Sequence, residues 1–254
     1  MSLSAREFAR AQDRVEATRR ARGALVASAA LTLALYLIPF GGFLIYPLLL
    51  LSTLAHELGH GLAAVLTGGS FEAFYLWPDG SGMAVHTGLD GPVLRAIIAA
   101  GGLVGPAVVA ALCFVLARRP RVAGVALALL GLGFIAADLL VVRNGFGFWY
   151  IAAVGALLLA LARTTVARTA LVFFAVQLAL SVFSRGDYLF KATAETSAGV
   201  MPSDSAQIAA ALGGSYWLWG AVCGLFSVLV LILGLWLFTR GHAAVDLSTL
   251  RRRR

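Results

Sequence analysis

The sequence predicts an all-α polytopic membrane protein, with about six to seven transmembrane helices and one small membrane-associated β-hairpin. Three observations carry this. Of 254 residues, 60% are hydrophobic and only 13% charged, with a mean hydropathy of +0.89. The apolar residues fall into runs of roughly 20, the length of a membrane span. One aromatic, Gly-rich segment breaks the series and carries turn chemistry instead. Soluble domains carry about 25% charged residues, so the composition excludes a water-soluble enzyme, and it excludes a disordered chain equally.

The apolar runs lie near 23–39, 43–67, 93–117, 122–142, 145–162, 166–186 and 215–238. Pro39-Phe40-Gly41-Gly42 separates the first two weakly. Arg118-Arg119-Pro120-Arg121, Arg143-Asn144-Gly145 and the polar stretch 191–214 are firmer breaks. Residues 69–88 place aromatic residues on both sides of Pro78-Asp79-Gly80, which predicts a β-hairpin. At membrane depth such backbone must be covered by protein or line a cavity. Residues 203–212 predict a short helix with Asp204 as N-cap and Gln207 completing a capping box.

The net charge is +8, and all basic residues but Lys191 are arginines. They gather at the chain ends and in short loops, a pattern of membrane topology and anionic lipid rather than nucleic acid. Seven spans divide the basic residues equally between the two faces, so the positive-inside rule sets no orientation. The C-terminal Arg251–Arg254 run reads as an interfacial anchor. Residues 1–22 form an Arg-rich tail, too long and too acidic for the start of a signal peptide. Cys113 and Cys223 each sit in an apolar run, as small buried hydrophobes rather than a disulfide.

The chemistry centres on His56-Glu57-Leu58-Gly59-His60, inside the second apolar run. Residues i and i+4 share a helix face, about 6 Å apart along the axis. Two imidazoles so placed can bind one zinc ion, and the Glu between them can serve as general base toward a zinc-activated water. Three ionisable side chains within five positions of a span are costly, which marks a functional site. Zinc needs a third protein ligand and an open position. Asp138, Asp187 and His86 are the candidates. Asp138 could instead pair with Arg143, Asp187 with Arg185 or Lys191, and His86 could be a loop histidine.

HELGHGLAAVLTGG, the Gly-rich hairpin, and the span holding Gly101-Gly102-Leu103-Val104-Gly105-Pro106 together resemble the site-2 protease family of intramembrane zinc metallopeptidases. The closest likeness is to its compact branch, which lacks a PDZ domain. The late segment SVFSRGDYLF, with the Ser-Asp-containing stretch and the Trp-containing last span, resembles that branch too. The resemblance implies a zinc metalloendopeptidase cutting peptide bonds of transmembrane or membrane-associated proteins. It implies His56 and His60 as metal ligands, Glu57 as catalytic base and Asp187 as third ligand, with Asp138 next. Better-known branches place that Asp in an Asn-Pro-x-Pro motif; here the only Asn is Asn144.

On this reading, residues 23–240 form the membrane-embedded metalloprotease domain, between the tail 1–22 and a basic tail 241–254. The protein resides in the cell membrane, in contact with the lipid bilayer. Gly101 and Gly105 serve close helix packing. The hairpin could pair with an extended substrate by strand addition. A catalytically dead relative, a scaffold or a transporter are the competing functions; no internal repeat supports the last.

Overall fold

Each apolar run becomes a helix, and the Gly and Pro punctuation sets where each helix begins. The computed structural model describes residue 19 and residues 22–35, 37–39, 41–87, 91–184 and 189–240. Helix α1 covers Arg22–Leu35. It is followed by α2 (Gly41–Leu66), strands β1 (Ser70–Leu76) and β2 (Gly82–Thr87), then α3 (Pro92–Leu116), α4 (Pro120–Val141), α5 (Gly145–Ala162) and α6 (Ala167–Ser184). Strands β3 (Thr193–Thr196) and β4 (Gly199–Pro202) lead into α7 (Asp204–Leu212) and α8 (Tyr216–Arg240). Pro92 and Pro120 open their helices, where a missing N–H costs nothing and φ is already set.

Among the described residues five helices, α2, α3, α4, α5 and α8, are long and apolar enough to cross a membrane; α1 and α6 are apolar but shorter. The chain is thus a multi-pass integral membrane protein, and its described residues are all-α apart from two small antiparallel hairpins. Leu66, Leu140, Trp149 and Leu229 are exposed, as lipid-facing side chains should be. Between the helices, Leu54, Phe74, Phe114 and Leu171 are buried in one continuous core. Cys113 and Cys223 are buried free thiols. Of the two basic tails, only residues 19 and 22 are among the described residues.

The expected hairpin at 69–88 is present as β1–β2. A bulge lies between Phe71 and Ala73, and Phe74 stands opposite Ala84. Its turn is built by Asp79, whose carboxylate accepts from the Ser81 amide at 2.9 Å and the Ser81 hydroxyl at 2.6 Å. Gly80 takes φ 86°, a region that favours glycine. Phe74 and Leu76 are fully buried, so one face of the hairpin belongs to the core. The outer edge of β1 is also covered. Asn144 accepts from the Leu76 amide at 3.2 Å and donates to the Leu76 carbonyl at 2.6 Å, while the Arg143 amide donates to Phe74 O at 3.0 Å.

The second hairpin, β3–β4, was not anticipated: residues 193–202 lie in what the sequence marks only as a polar stretch. Its strands are short and mostly exposed, with no hydrophobic alternation to betray them. Gly199, at φ 120°, makes its turn.

Candidate metal centre

Helices α2 and α3 meet at a seam lined by glycines on both sides. A Cβ on Gly59 would overlap the Gly101 carbonyl, and one on Gly102 would overlap the His60 ring. Glycine at these positions lets the two backbones close on each other and leaves room for an imidazole between them. His60 is then locked by a hydrogen bond of 2.8 Å between its Nδ1 and the Ile98 carbonyl. A carbonyl can only accept, so Nδ1 carries a proton and Nε2 is the ring nitrogen left to face the other side.

That nitrogen points into a cluster. His56 Nε2 lies 3.2 Å from His60 Nε2, 3.0 Å from Asp204 Oδ2, and His60 Nε2 lies 3.3 Å from Asp204 Oδ1. His60 and Asp204 are buried and His56 half-buried, and the three offer metal-ligand atoms within 4.8 Å of one another. Donors about 2.1 Å from a tetrahedral ion stand about 3.4 Å apart, close to the spacing found. A His-His-Asp cluster able to hold a metal ion is therefore in place.

Asp204 arrives from α7. The sequence reading made it the N-cap, but the cap is one residue earlier. Ser203 Oγ accepts from the Ala206 amide at 3.2 Å and donates to the Lys191 carbonyl at 2.6 Å. Asp204 is thereby moved into the first turn, and its carboxylate is free to face the histidines. Burial alone would raise its pKa. The charges of His60 and His56, and their hydrogen bonds, outweigh burial and hold the carboxyl well below the usual range.

The other sequence candidates are placed differently. Asp187 lies outside the described residues. Asp138 is buried on α4 and does not join His56 and His60. Nor does it pair with Arg143, whose guanidinium donates to the carbonyls of Val142, Leu140 and Glu72. His86 sits on β2, half-buried, in the wall of the same cavity but outside the ligand cluster. Burial, and then the neighbouring His60, lower its pKa.

Glu57 points toward β2. Its Oε2 accepts from the Ala84 amide at 2.8 Å, which fixes the carboxylate at the strand's edge. Gly82 makes this approach possible: a Cβ there would sit 2.6 Å from Thr53 and 2.9 Å from Glu57 Cγ. His56, Glu57, His60 and Asp204 all line one cavity of about 570 Å³, walled also by β2, the β3–β4 hairpin and Arg95. A larger groove of about 1240 Å³ is apolar and contains none of these four side chains.

The two hairpins meet at their tips. Ser197 Oγ donates to Asp79 Oδ2 at 2.6 Å, and the Ser197 amide donates to Ser81 Oγ at 3.1 Å. The first tip is in turn tied to α2. The Tyr46 hydroxyl donates to Pro78 O and the Thr53 hydroxyl to Gly80 O, both at 2.6 Å.

Comparison with curated proteins and with solved structures returns no match. Residues 26–234, most of the chain, match the family described as Peptidase M50B-like. That span holds His56, His60, Glu57, Asp204 and both hairpins. A metal-competent His-His-Asp cluster inside a multi-pass membrane protein agrees with that match, and the chain belongs to the Peptidase M50B-like family of intramembrane metalloproteases.

Proposed function

We propose that His56, His60 and Asp204 hold one zinc ion, and that Glu57 is the general base for hydrolysis of peptide bonds in membrane-embedded proteins. The observation that carries this reading is the convergence of three donors at 3.0–3.3 Å beside a carboxylate anchored in the same cavity. Two neutral imidazoles and a carboxylate suit zinc. Bound zinc would supply Lewis acidity toward water and the scissile carbonyl. Glu57 takes the proton from water and returns it to the leaving amine. The Ala84 amide orients that carboxylate, and Ile98 O holds His60 in the tautomer that presents Nε2.

The slot between β2 and the β3–β4 hairpin suits an extended peptide, which could add to the outer edge of β2 on either side of the Ala84 amide that Glu57 holds. A substrate helix must unwind to present its carbonyls, and an edge strand gives the unwound backbone partners. Residues 23–240 act as the membrane-embedded domain, with α1 and α6 completing seven crossings of the cell membrane.

Two measurements test this. Zinc per chain in detergent-purified protein should be about one, falling well below that in Asp204→Ala and holding in Asp187→Ala. The reverse pattern would move the third ligand to Asp187. Glu57→Gln should keep its zinc and lose about 10²- to 10⁴-fold in cleavage rate of a transmembrane substrate. Undiminished cleavage would remove Glu57 from the reaction.

A further inference from the structure

The metal cavity holds one cation that the proposed chemistry does not use. Arg95 lines it together with Ile98 and Ala99, and is the only arginine or lysine to do so among the described residues. These three residues and Gly102 stand at i, i+3, i+4 and i+7, on one face of α3. That face is fixed against the cluster, because Ile98 O bonds His60 and Gly102 leaves room for the His60 ring. Arg95 is exposed, and no hydrogen bond or ion pair ties its guanidinium to a described residue. The cavity's carboxylates are engaged elsewhere, Asp204 with the histidines and Glu57 with the Ala84 amide. Burial lowers the pKa of His86, which therefore adds no charge at neutral pH.

The packing gives this face a direction. A Cβ on Gly105 would meet Gly59 and one on Gly101 would meet Ala63, so α3 runs antiparallel to α2. Strand β2 runs the same way as α2. Its Gly82 lies against Thr53 and Glu57, and its His86 stands opposite Phe71, whose ring packs on Gly61. A chain laid along the outer edge of β2 therefore passes the histidines and leaves toward the start of α3. Arg95 stands seven residues before Gly102, about 10 Å along the helix axis. That distance is about three residues of extended chain. Long helical side chains lean toward the N-terminus, so the guanidinium reaches outward from the metal cluster.

We propose that Arg95 determines specificity by binding a carboxylate of the substrate, about three residues from the cut bond on the side that leaves toward the start of α3. The carboxylate is an Asp or Glu side chain, or the substrate's own C-terminus. A guanidinium presents a planar fork of donors that matches a carboxylate. The register rests on the proposed peptide cleavage at the metal, whereas the charge preference rests on the cavity alone.

The test uses full-length protein and membrane-spanning peptides of about 20 apolar residues. The first peptide carries one Asp and an amidated C-terminus. In the second Asn, and in the third Lys, replaces that Asp. The fourth has the Asn and a free C-terminal carboxylate. Affinity is read on the Glu57→Gln protein, and kcat/KM on the active protein. The Asp peptide should bind and be cut roughly 2- to 5-fold better than the Asn peptide, the range of an exposed ion pair. The cut, mapped by mass spectrometry, should fall about three residues from the Asp. About 1 M salt should shrink the advantage. Arg95→Glu should reverse the order and favour the Lys peptide; should that variant not fold, Arg95→Gln must abolish the Asp advantage. A gain confined to the fourth peptide would name the terminal carboxylate as the ligand. Equal values for all four peptides would overturn the proposal, as would an Arg95→Glu protein that keeps the Asp preference. A loss in Arg95→Glu that is equal for every peptide and appears only with anionic lipid would overturn it in favour of a lipid headgroup. Carboxylate-dependent binding with no cleavage would remove the proteolytic reading and leave Arg95 in its role.

Discussion

Ser197 donates to the Asp79 carboxylate at 2.6 Å, and this bond joins the tips of two hairpins 118 positions apart in sequence. Four hydrogen bonds hold the Asp79 carboxyl below its ordinary pKa of 3.8, those from Ser197 and the Ser81 hydroxyl contributing most, then the Ser81 and Asp79 amides. A carboxyl depressed in the folded state contributes stability above its unfolded pKa and loses it as pH falls through the folded value. The clasp should therefore hold at neutral pH and release only below about pH 4. Asp79→Asn or Ser197→Ala should release it at neutral pH. Amide hydrogen exchange across 193–202 should then speed up roughly 2- to 12-fold, the range set by one net hydrogen bond. Unchanged exchange would mean the tips are held by something other than this bond.

Gly102 is a condition of metal binding, although it offers no donor. Its missing Cβ is the space the His60 ring occupies. Gly102→Ala should drive that ring off the Ile98 carbonyl and out of the cluster. Metal content should fall to near that of His60→Ala, while the α2–α3 pair still forms. Full metal content in the variant would show that α3 can shift to make room.

Gly82→Ala acts on the base rather than the metal. The added methyl meets Thr53 and Glu57 Cγ, so β2 must retreat from α2 and the Ala84 amide must leave Glu57. We expect zinc to be retained and kcat to fall by up to the roughly 10²- to 10⁴-fold ascribed to a positioned acid–base group. Loss of zinc together with activity would instead place the damage at the histidines.

Much of this was legible in the residues. The apolar runs and their Gly and Pro breaks mark the helices, and His56 and His60 at i and i+4 mark one wall of the site. Pro78-Asp79-Gly80 marks the first hairpin. The carboxylate that completes the cluster was harder to see. Ser203-Asp204 offers two good caps in a row, and only the fold shows that Ser203 takes the role and leaves Asp204 for the histidines. The β3–β4 hairpin gave no signal, because its four-residue strands bury no apolar face. The glycines at 59, 82, 101 and 102 read as packing residues along a span. Which of them makes room for a functional side chain is a property of helix contact, not of spacing.

Asn144 has a consequence beyond the hairpin it braces. Unpaired ladder edges recruit other chains, and here an amide side chain and the adjoining main chain fill that role for β1. Two copies meeting in the plane of the bilayer cannot fuse their sheets along that border. The hairpin keeps one reactive border instead of two, on the strand beside the histidines. Extension of this sheet is thus left to β2, the strand whose Ala84 amide meets Glu57.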